Sequence, residues 1–159
     1  MNRAWVFPVF IAAMLAGIVA LVGATITDTG PWYRALAKPD WAPPDAVYGV
    51  AWTAIYACTA VAGVTGWIAA PTRAAREWLL GVFALNCFLN ILWSLLFFRL
   101  QRPDWALVEV VALWVSVVLL LWVCGRQSRI AAALLLPYLI WVGFAGCLNW
   151  SIVQANAPF

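Results

Sequence analysis

The sequence predicts an all-α integral membrane protein, a five-transmembrane-helix bundle with a long ordered loop between helices 1 and 2. Three observations predict this fold class. Of the 159 residues, 67% are hydrophobic and only 9% are charged, whereas a typical soluble domain has about 25% charged residues. Five runs of about 20 apolar residues are each long enough to cross a bilayer. Three of the four joints between these runs are short, which favours antiparallel helices packed side by side.

The five spans are each bounded by charged or turn residues, and we predict them at about 5–27, 47–68, 78–98, 105–124 and 130–153. All five belong to a single domain over residues 1–159. The first span is longer than the apolar core of a signal peptide, so we expect it to be kept as a transmembrane helix. It also carries small residues at four-residue intervals, which let helices approach closely: Ala12, Ala16, Ala20 and Ala24.

The segment between the first two spans, residues 28–46, differs from its surroundings. It combines aromatic residues, prolines and both signs of charge, and it is flanked by long runs that are nearly free of charge. Proline restricts its own backbone and that of the residue before it, so the chain around Pro39 and Pro43 should be extended or turn-like. A loop of this length is uncommon unless it has a function. We therefore predict an ordered aromatic lid over something held between the helices.

The charged and reactive residues orient the bundle and exclude several functions. Five cations lie on the side of the N-terminus and four on the opposite side, which favours a cytoplasmic N-terminus: Arg3, Arg73, Arg76, Arg126 and Arg129 against Arg34, Lys38, Arg99 and Arg102. Because these cations are scattered, we expect no nucleic-acid partner. The chain has no histidine, and its four cysteines lie singly in apolar runs. We therefore predict no metal site, no disulfide and no histidine-ligated haem.

The twelve tryptophans fall into two groups. About half lie near the ends of spans, where an aromatic belt at headgroup level accounts for them. The others lie deeper, and because a buried indole N–H requires an acceptor, they suggest a partly polar interior. Polar and aromatic residues share faces of three spans: Trp52 and Tyr56; Asn86, Asn90 and Trp93; Trp141 and Asn149. These asparagines either bridge helices or line a pocket.

Glu109 is the only carboxylate well inside a span. An acid at such a position is a functional candidate, although its side chain can also reach the nearby interface or pair with Arg102. Because no second carboxylate accompanies it, the sequence predicts no acid–base pair. The spacings of a Ser-His-Asp triad and of a phosphate-binding loop are also missing.

Taken together, these residues resemble the TspO/MBR family, which contains the bacterial tryptophan-rich sensory proteins and the mitochondrial translocator protein, also called the peripheral-type benzodiazepine receptor. The resemblance extends in order over nearly the whole chain. Its motifs are W-Y-x-x-L-x-K-P-x-W-x-P-P at 32–44, A-W-T-x-x-Y at 51–56, L-N-x-x-W-S-x-x-F-F at 89–98, W-A-L-V-E at 105–109 and P-Y-L-x-W-x-x-F-A-x-x-L-N at 137–149.

The resemblance implies a homodimer in a bacterial membrane, inner or outer, with a pocket at the lid end that binds porphyrins and synthetic translocator-protein ligands. Protoporphyrin IX would be the ligand or substrate, and no other cofactor is required. By position, the ligand-binding residues would be Tyr33, Tyr48, Gly49, Trp52, Asn90, Trp93, Trp105, Val108, Ala112, Trp141, Ala145 and Leu148. On the lid, Arg34 and Lys38 would pair with the propionates of the porphyrin.

Three functions follow from such a pocket. The first is a sensor or regulator that binds tetrapyrroles, and the second is an enzyme that degrades protoporphyrin IX oxidatively in light, with Trp52 and Trp141 as its catalytic residues. Neither route requires histidine or a metal. The third is porphyrin transport, against which the chain shows no inverted repeat. Sterol transport is not supported, because no Lys or Arg follows Trp150 as the family's proposed cholesterol motif requires.

Overall fold

The computed structural model describes residues 6–159, so Arg3 and Trp5 lie outside the described residues. Five of its six α-helices are long and apolar enough to cross a membrane, which confirms the predicted fold class. The remaining helix, α2, is a short segment of the lid. The helices are α1 Val6–Ile26, α2 Pro31–Ala35, α3 Asp45–Ala69, α4 Arg73–Ser94, α5 Pro103–Gln127 and α6 Arg129–Asn156, and α4 continues into a π-helical turn at Leu95–Arg99.

The five long helices form a closed ring in the order α1, α3, α6, α5, α4. In the most apolar stretch of each helix, 39% of the residues of α5 are buried but only 6% of those of α1. Between them, α4 and α6 therefore cover much of α5, whereas α1 closes the ring loosely against α3 and α4. In a bilayer such side-chain packing, rather than removal from water, holds the helices together.

Three buried clusters follow one another along the ring. The cluster at the end away from the lid includes Leu79, Leu120 and Leu135. The central cluster is built around Ile55, Val117 and Tyr138. At the lid end, Tyr33 packs with residues of three other elements: Phe97, Ala106, Leu148 and Ile152. The lid is thus part of the core rather than a loose connection.

Helices α3 to α6 extend beyond the predicted spans because polar residues continue them past the apolar stretch that hydropathy detects. The clearest case is α4, which begins at Arg73 rather than at 78, so the predicted joint at 69–77 was too long. Its start is fixed by Thr72, whose Oγ1 accepts a hydrogen bond from Ala75 N at 3.2 Å. Such a cap satisfies one of the free N–H groups at a helix start. Ser128 caps α6 in the same way, from Ala131 N at 3.4 Å.

The π-helical turn at the end of α4 adds one residue to the helical repeat. Leu100 N donates to Leu95 O at 2.9 Å, five residues back instead of four. As a result, Phe97 is buried and both it and Phe98 face the space beneath the lid. Single π turns within α-helices are frequent at functional sites. This one borders a cavity beneath the lid.

Candidate ligand site beneath the lid

A cavity of about 430 Å³ lies directly beneath the lid and is named the lid cavity here. Its size falls in the range of small-molecule pockets, about 300–1,000 Å³. Its wall is formed by side chains of the lid and of all five long helices. Eight of these are aromatic: Tyr33, Tyr48, Trp52, Tyr56, Trp93, Phe97, Phe98 and Trp141.

Each large ring of the wall is supported by another ring behind or beside it. Trp52 is stacked on Tyr56 with ring centres 5.3 Å apart. Trp93 is stacked on Phe97 at 5.1 Å. The edge-on contact between Trp141 and Tyr48 spans 5.9 Å. Aromatic pairs in these geometries are favourable beyond their buried area, so the wall is rigid before any ligand arrives.

The lid is fastened to the bundle at two points, Tyr33 and Ala37. Near its start, Tyr33 is buried against Phe98, with ring centres 5.6 Å apart, and its hydroxyl reaches Asp45 Oδ1 at 3.5 Å. Burial, together with the nearby Tyr48 and Asp45, raises the pKa of Tyr33 above its usual value. Further along, Asn156 of α6 holds the backbone of Ala37 by two hydrogen bonds, accepting from its N at 2.8 Å and donating to its O at 2.9 Å.

The two lid cations make contacts within the lid. Lys38 Nζ lies 3.6 Å from the centre of the Tyr33 ring, and Arg34 Nε donates to Thr29 O at 3.2 Å. Neither side chain is part of the cavity wall as the structure describes it, whereas Asp45 is. The predicted role of Arg34 and Lys38 toward an anionic ligand therefore requires at least one of them to leave its present contact.

Eight of the twelve predicted ligand-binding residues line the lid cavity. They come from the lid, α3, α4 and α6: Tyr33, Tyr48, Gly49, Trp52, Trp93, Trp141, Ala145 and Leu148. Asn90 lies instead at a second, neighbouring cavity, where it bonds to Tyr56 and Tyr138. Asn149 both lines the lid cavity and bridges α6 to α5. With its amide turned to satisfy both groups, it donates to Pro103 O and accepts from Leu107 N, each at 3.0 Å.

The remaining three predicted residues, Trp105, Val108 and Ala112, do not line this cavity, and their role in ligand binding stays a prediction. They lie on the outer face of α5, where Val108 is 75% exposed. The inner face of α5 is occupied by Val110 and Leu113, which do line the cavity. Trp105 packs beneath the guanidinium of Arg102, whose Cζ lies 4.3 Å from the ring centre.

Several wall residues were missed by the sequence analysis. Phe97 and Phe98 reach the cavity through the π-helical turn, and their place at the end of the third span gave only a weak signal. Asp45 begins α3 and adds a carboxylate at the mouth. A third group comes from α1, whose small residues form one side of the cavity: Ala20, Gly23 and Ala24.

Comparison with known proteins shows to which family this chain belongs. The TspO/MBR family model matches residues 9–155. The chain is similar to the tryptophan-rich protein TspO of Chlorobaculum tepidum, with 40% identity over 87% of this chain and 89% of that protein. It is similar to protein CrtK of Rhodobacter capsulatus, with 33% identity over 86% and 87%. It is also similar to the translocator protein of Bos taurus, with 30% identity over 90% and 86%.

Proposed function

Because the chain belongs to the TspO/MBR family, we propose that this integral membrane protein binds a tetrapyrrole, protoporphyrin IX, in the lid cavity and acts as a sensor or regulator. The same cavity would take other flat apolar molecules, including ligands of the translocator-protein type. The observation that carries the proposal is the aromatic wall of the lid cavity. A porphyrin is a flat apolar ring, and indole and phenol faces are suited to stack on it.

The polar groups at the cavity support the same class of ligand. Trp93 Nε1 is buried and has no hydrogen-bond partner in the described part of the chain, so it offers a donor to an acceptor on the ligand. The mouth carries Asp45, which would repel a propionate. Lys38 can offset this charge by leaving the Tyr33 ring, at a cost of about 1–2 kcal/mol for a cation–π contact between a half-buried ammonium and a buried ring.

An absorption titration of the purified protein with protoporphyrin IX tests the proposal. Trp141→Ala should weaken binding by at least tenfold, because it removes one stacking face and the edge contact to Tyr48. Trp122→Ala is the matched control, since Trp122 is 58% exposed and packs against Arg126 at the other end of the bundle. Equal affinities of the two variants would contradict the assignment of the lid cavity.

Light-dependent oxidation of protoporphyrin IX is the second candidate function, favoured by the position of two indoles in the wall. A light-excited porphyrin beside Trp52 or Trp141 can take an electron from the indole or pass its energy to dioxygen, which serves as the oxidant. Illumination of the complex should give less product with Trp52→Phe and Trp141→Phe than with Trp114→Phe. Trp114 lies equally deep in a span but outside the lid cavity. Identical rates in all three variants would remove these residues from the chemistry.

A further inference from the structure

A second cavity, of about 270 Å³, lies between α1, α3 and α4 in the half of the bundle away from the lid. It is named the far cavity here. Its rim includes Phe7 and Leu80, which are 63% and 47% exposed on the surface of the bundle. The far cavity therefore opens toward the hydrocarbon of the bilayer.

The side walls of the far cavity are apolar, and small residues create its space. Ala12 and Ala16 of α1 face Gly63 of α3 across it. A Cβ on Gly63 would lie only 3.3 Å from Cζ of Phe83, so a larger side chain at this position would require the Phe83 ring to shift. None of the described residues that line the far cavity is charged. Its walls thus suit a neutral, apolar body.

The inner end of the far cavity is polar. Four hydrogen bonds run through it in one direction, from Tyr56 Oη to Asn90 Oδ1 (3.2 Å), from Asn90 Nδ2 to Tyr138 Oη (3.1 Å), from Tyr138 Oη to Asn86 Oδ1 (3.1 Å) and from Asn86 Nδ2 to Ser116 Oγ (2.8 Å). A side-chain amide has two N–H donors. Each of these asparagines uses one of them within the described contacts, so each retains a second.

Thr59 adds another unused donor. Its Oγ1 is buried and has no hydrogen-bond partner among residues 6–159, although its side chain lines the far cavity. A threonine in a helix commonly bonds to the carbonyl one turn earlier. Thr53 of the same helix does so, donating to Gly49 O at 2.8 Å. A buried hydroxyl without a partner costs folding free energy, and a bound oxygen acceptor would remove that cost.

We propose that the far cavity is a binding site for a neutral, lipid-soluble molecule with an apolar body and one carbonyl oxygen, which enters from the bilayer. The apolar walls take the body. The carbonyl oxygen accepts from the Thr59 hydroxyl and from the free N–H of either Asn86 or Asn90, one donor for each lone pair. The site is separate from the lid cavity, which it meets at Tyr56 and at no other described wall residue.

Benzophenone is a suitable probe, because it has two apolar rings and one carbonyl and inserts into nearby C–H bonds under ultraviolet light. The purified protein in lipid nanodiscs is irradiated with it, and the labelled residues are mapped by mass spectrometry. Labelling should fall on Leu15 and Phe83 of the far cavity. Dicyclohexylmethane, in which CH2 replaces the carbonyl, should compete for this labelling about tenfold less well than dicyclohexyl ketone, and neither competitor has a benzylic C–H for the excited probe to attack.

Two variants with matched controls locate the site. Thr59→Val removes the hydroxyl at nearly constant volume and should weaken labelling of Phe83 about three- to tenfold, while Thr53→Val should not change it. Ala16→Leu fills the far cavity and should abolish that labelling, while Ala20→Leu, which fills the lid cavity, should leave it intact.

The result that overturns the proposal is labelling of Phe83 that dicyclohexylmethane competes as well as dicyclohexyl ketone does and that Thr59→Val leaves unchanged. The space would then hold hydrocarbon without recognising an oxygen. Absence of any label on Leu15 and Phe83 would equally reject the site. Neither outcome bears on the porphyrin proposal, whose readout is the absorption titration at the lid cavity.

Discussion

The lid cavity and the far cavity are both bordered by α1 but differ in their chemistry. Both are bordered by the alanine stripe of α1, with Ala12 and Ala16 at the far cavity and Ala20 and Ala24 at the lid cavity. Opposite this stripe, the lid cavity has mostly aromatic rings and a cover, whereas the far cavity has mixed aliphatic and aromatic walls, a polar inner end and an opening toward lipid. The small residues of α1 provide the space, and the facing helices decide what fits into it.

The alanine stripe of α1 has a different role from the one that its spacing suggests. Small residues at four-residue intervals favour close contact between helices. In α1 the stripe instead faces the interior, and only Pro8 and Val19 of this helix are buried. Because their side chains are small, these alanines leave open space between α1 and the helices that face it. Enlarging one alanine should therefore affect one cavity and spare the other.

The largest expected effect comes from Ala20→Leu. The added side chain enters the lid cavity, and overpacking of this kind costs about 2 kcal/mol, which corresponds to about thirtyfold weaker binding of protoporphyrin IX. Ala16→Leu adds the same atoms one turn earlier, in the far cavity, and should leave the affinity within twofold. Absorption titrations of the two variants in parallel give the comparison. A similar loss in both would mean that the two spaces act as a single site.

The next effect is on stability and concerns the hydrogen bonds between the two cavities. Tyr138 Oη accepts from Asn90 Nδ2 and donates to Asn86 Oδ1. Tyr138→Phe therefore leaves one N–H of Asn90 and the amide oxygen of Asn86 without a partner. We expect it to lower the free energy of unfolding in mixed micelles by about 1–2 kcal/mol. Tyr56→Phe breaks only the terminal bond of the series and should cost less. If Tyr56→Phe were the more costly change, the bonds would not act as a connected series.

The fold and the lid could be predicted from the sequence, because long apolar runs and a segment rich in proline and aromatic residues are strong local signals. Most of the wall of the lid cavity was predicted only because the motifs resemble the TspO/MBR family. The orientation of α5 could not be predicted. Val108 and Val110 stand on either side of Glu109 in a helix that is apolar on nearly every face, so no pattern distinguishes inside from outside. Contacts with α4 and α6 turn Val110 inward and leave Val108 exposed. The π-helical turn is equally invisible, because it depends on how Phe97 packs.

A smaller effect should separate the covered cavity from the open one. Asn156→Ala removes both bonds to the backbone of Ala37, and since each contributes about 0.5–1.5 kcal/mol, the lid should open more readily. Stopped-flow measurement should show release of protoporphyrin IX about fivefold faster. Because no lid covers the far cavity, benzophenone should label it at an unchanged rate. An unchanged porphyrin release rate would indicate that ligands leave by a route other than the lid.

The smallest effect has the opposite sign and tests the far cavity without any ligand. Thr59→Val replaces a buried hydroxyl that lacks a partner with a methyl group of similar size, so it should raise the free energy of unfolding by up to about 1 kcal/mol. Thr53→Val, on the same helix but exposed and bonded to Gly49 O, should stay within about 0.5 kcal/mol of the native protein. The same Thr59 variant should bind benzophenone more weakly, so that stability and affinity change in opposite directions. Destabilisation by Thr59→Val would mean that its hydroxyl already has a partner, and the far cavity would then lose the donor that selects a carbonyl.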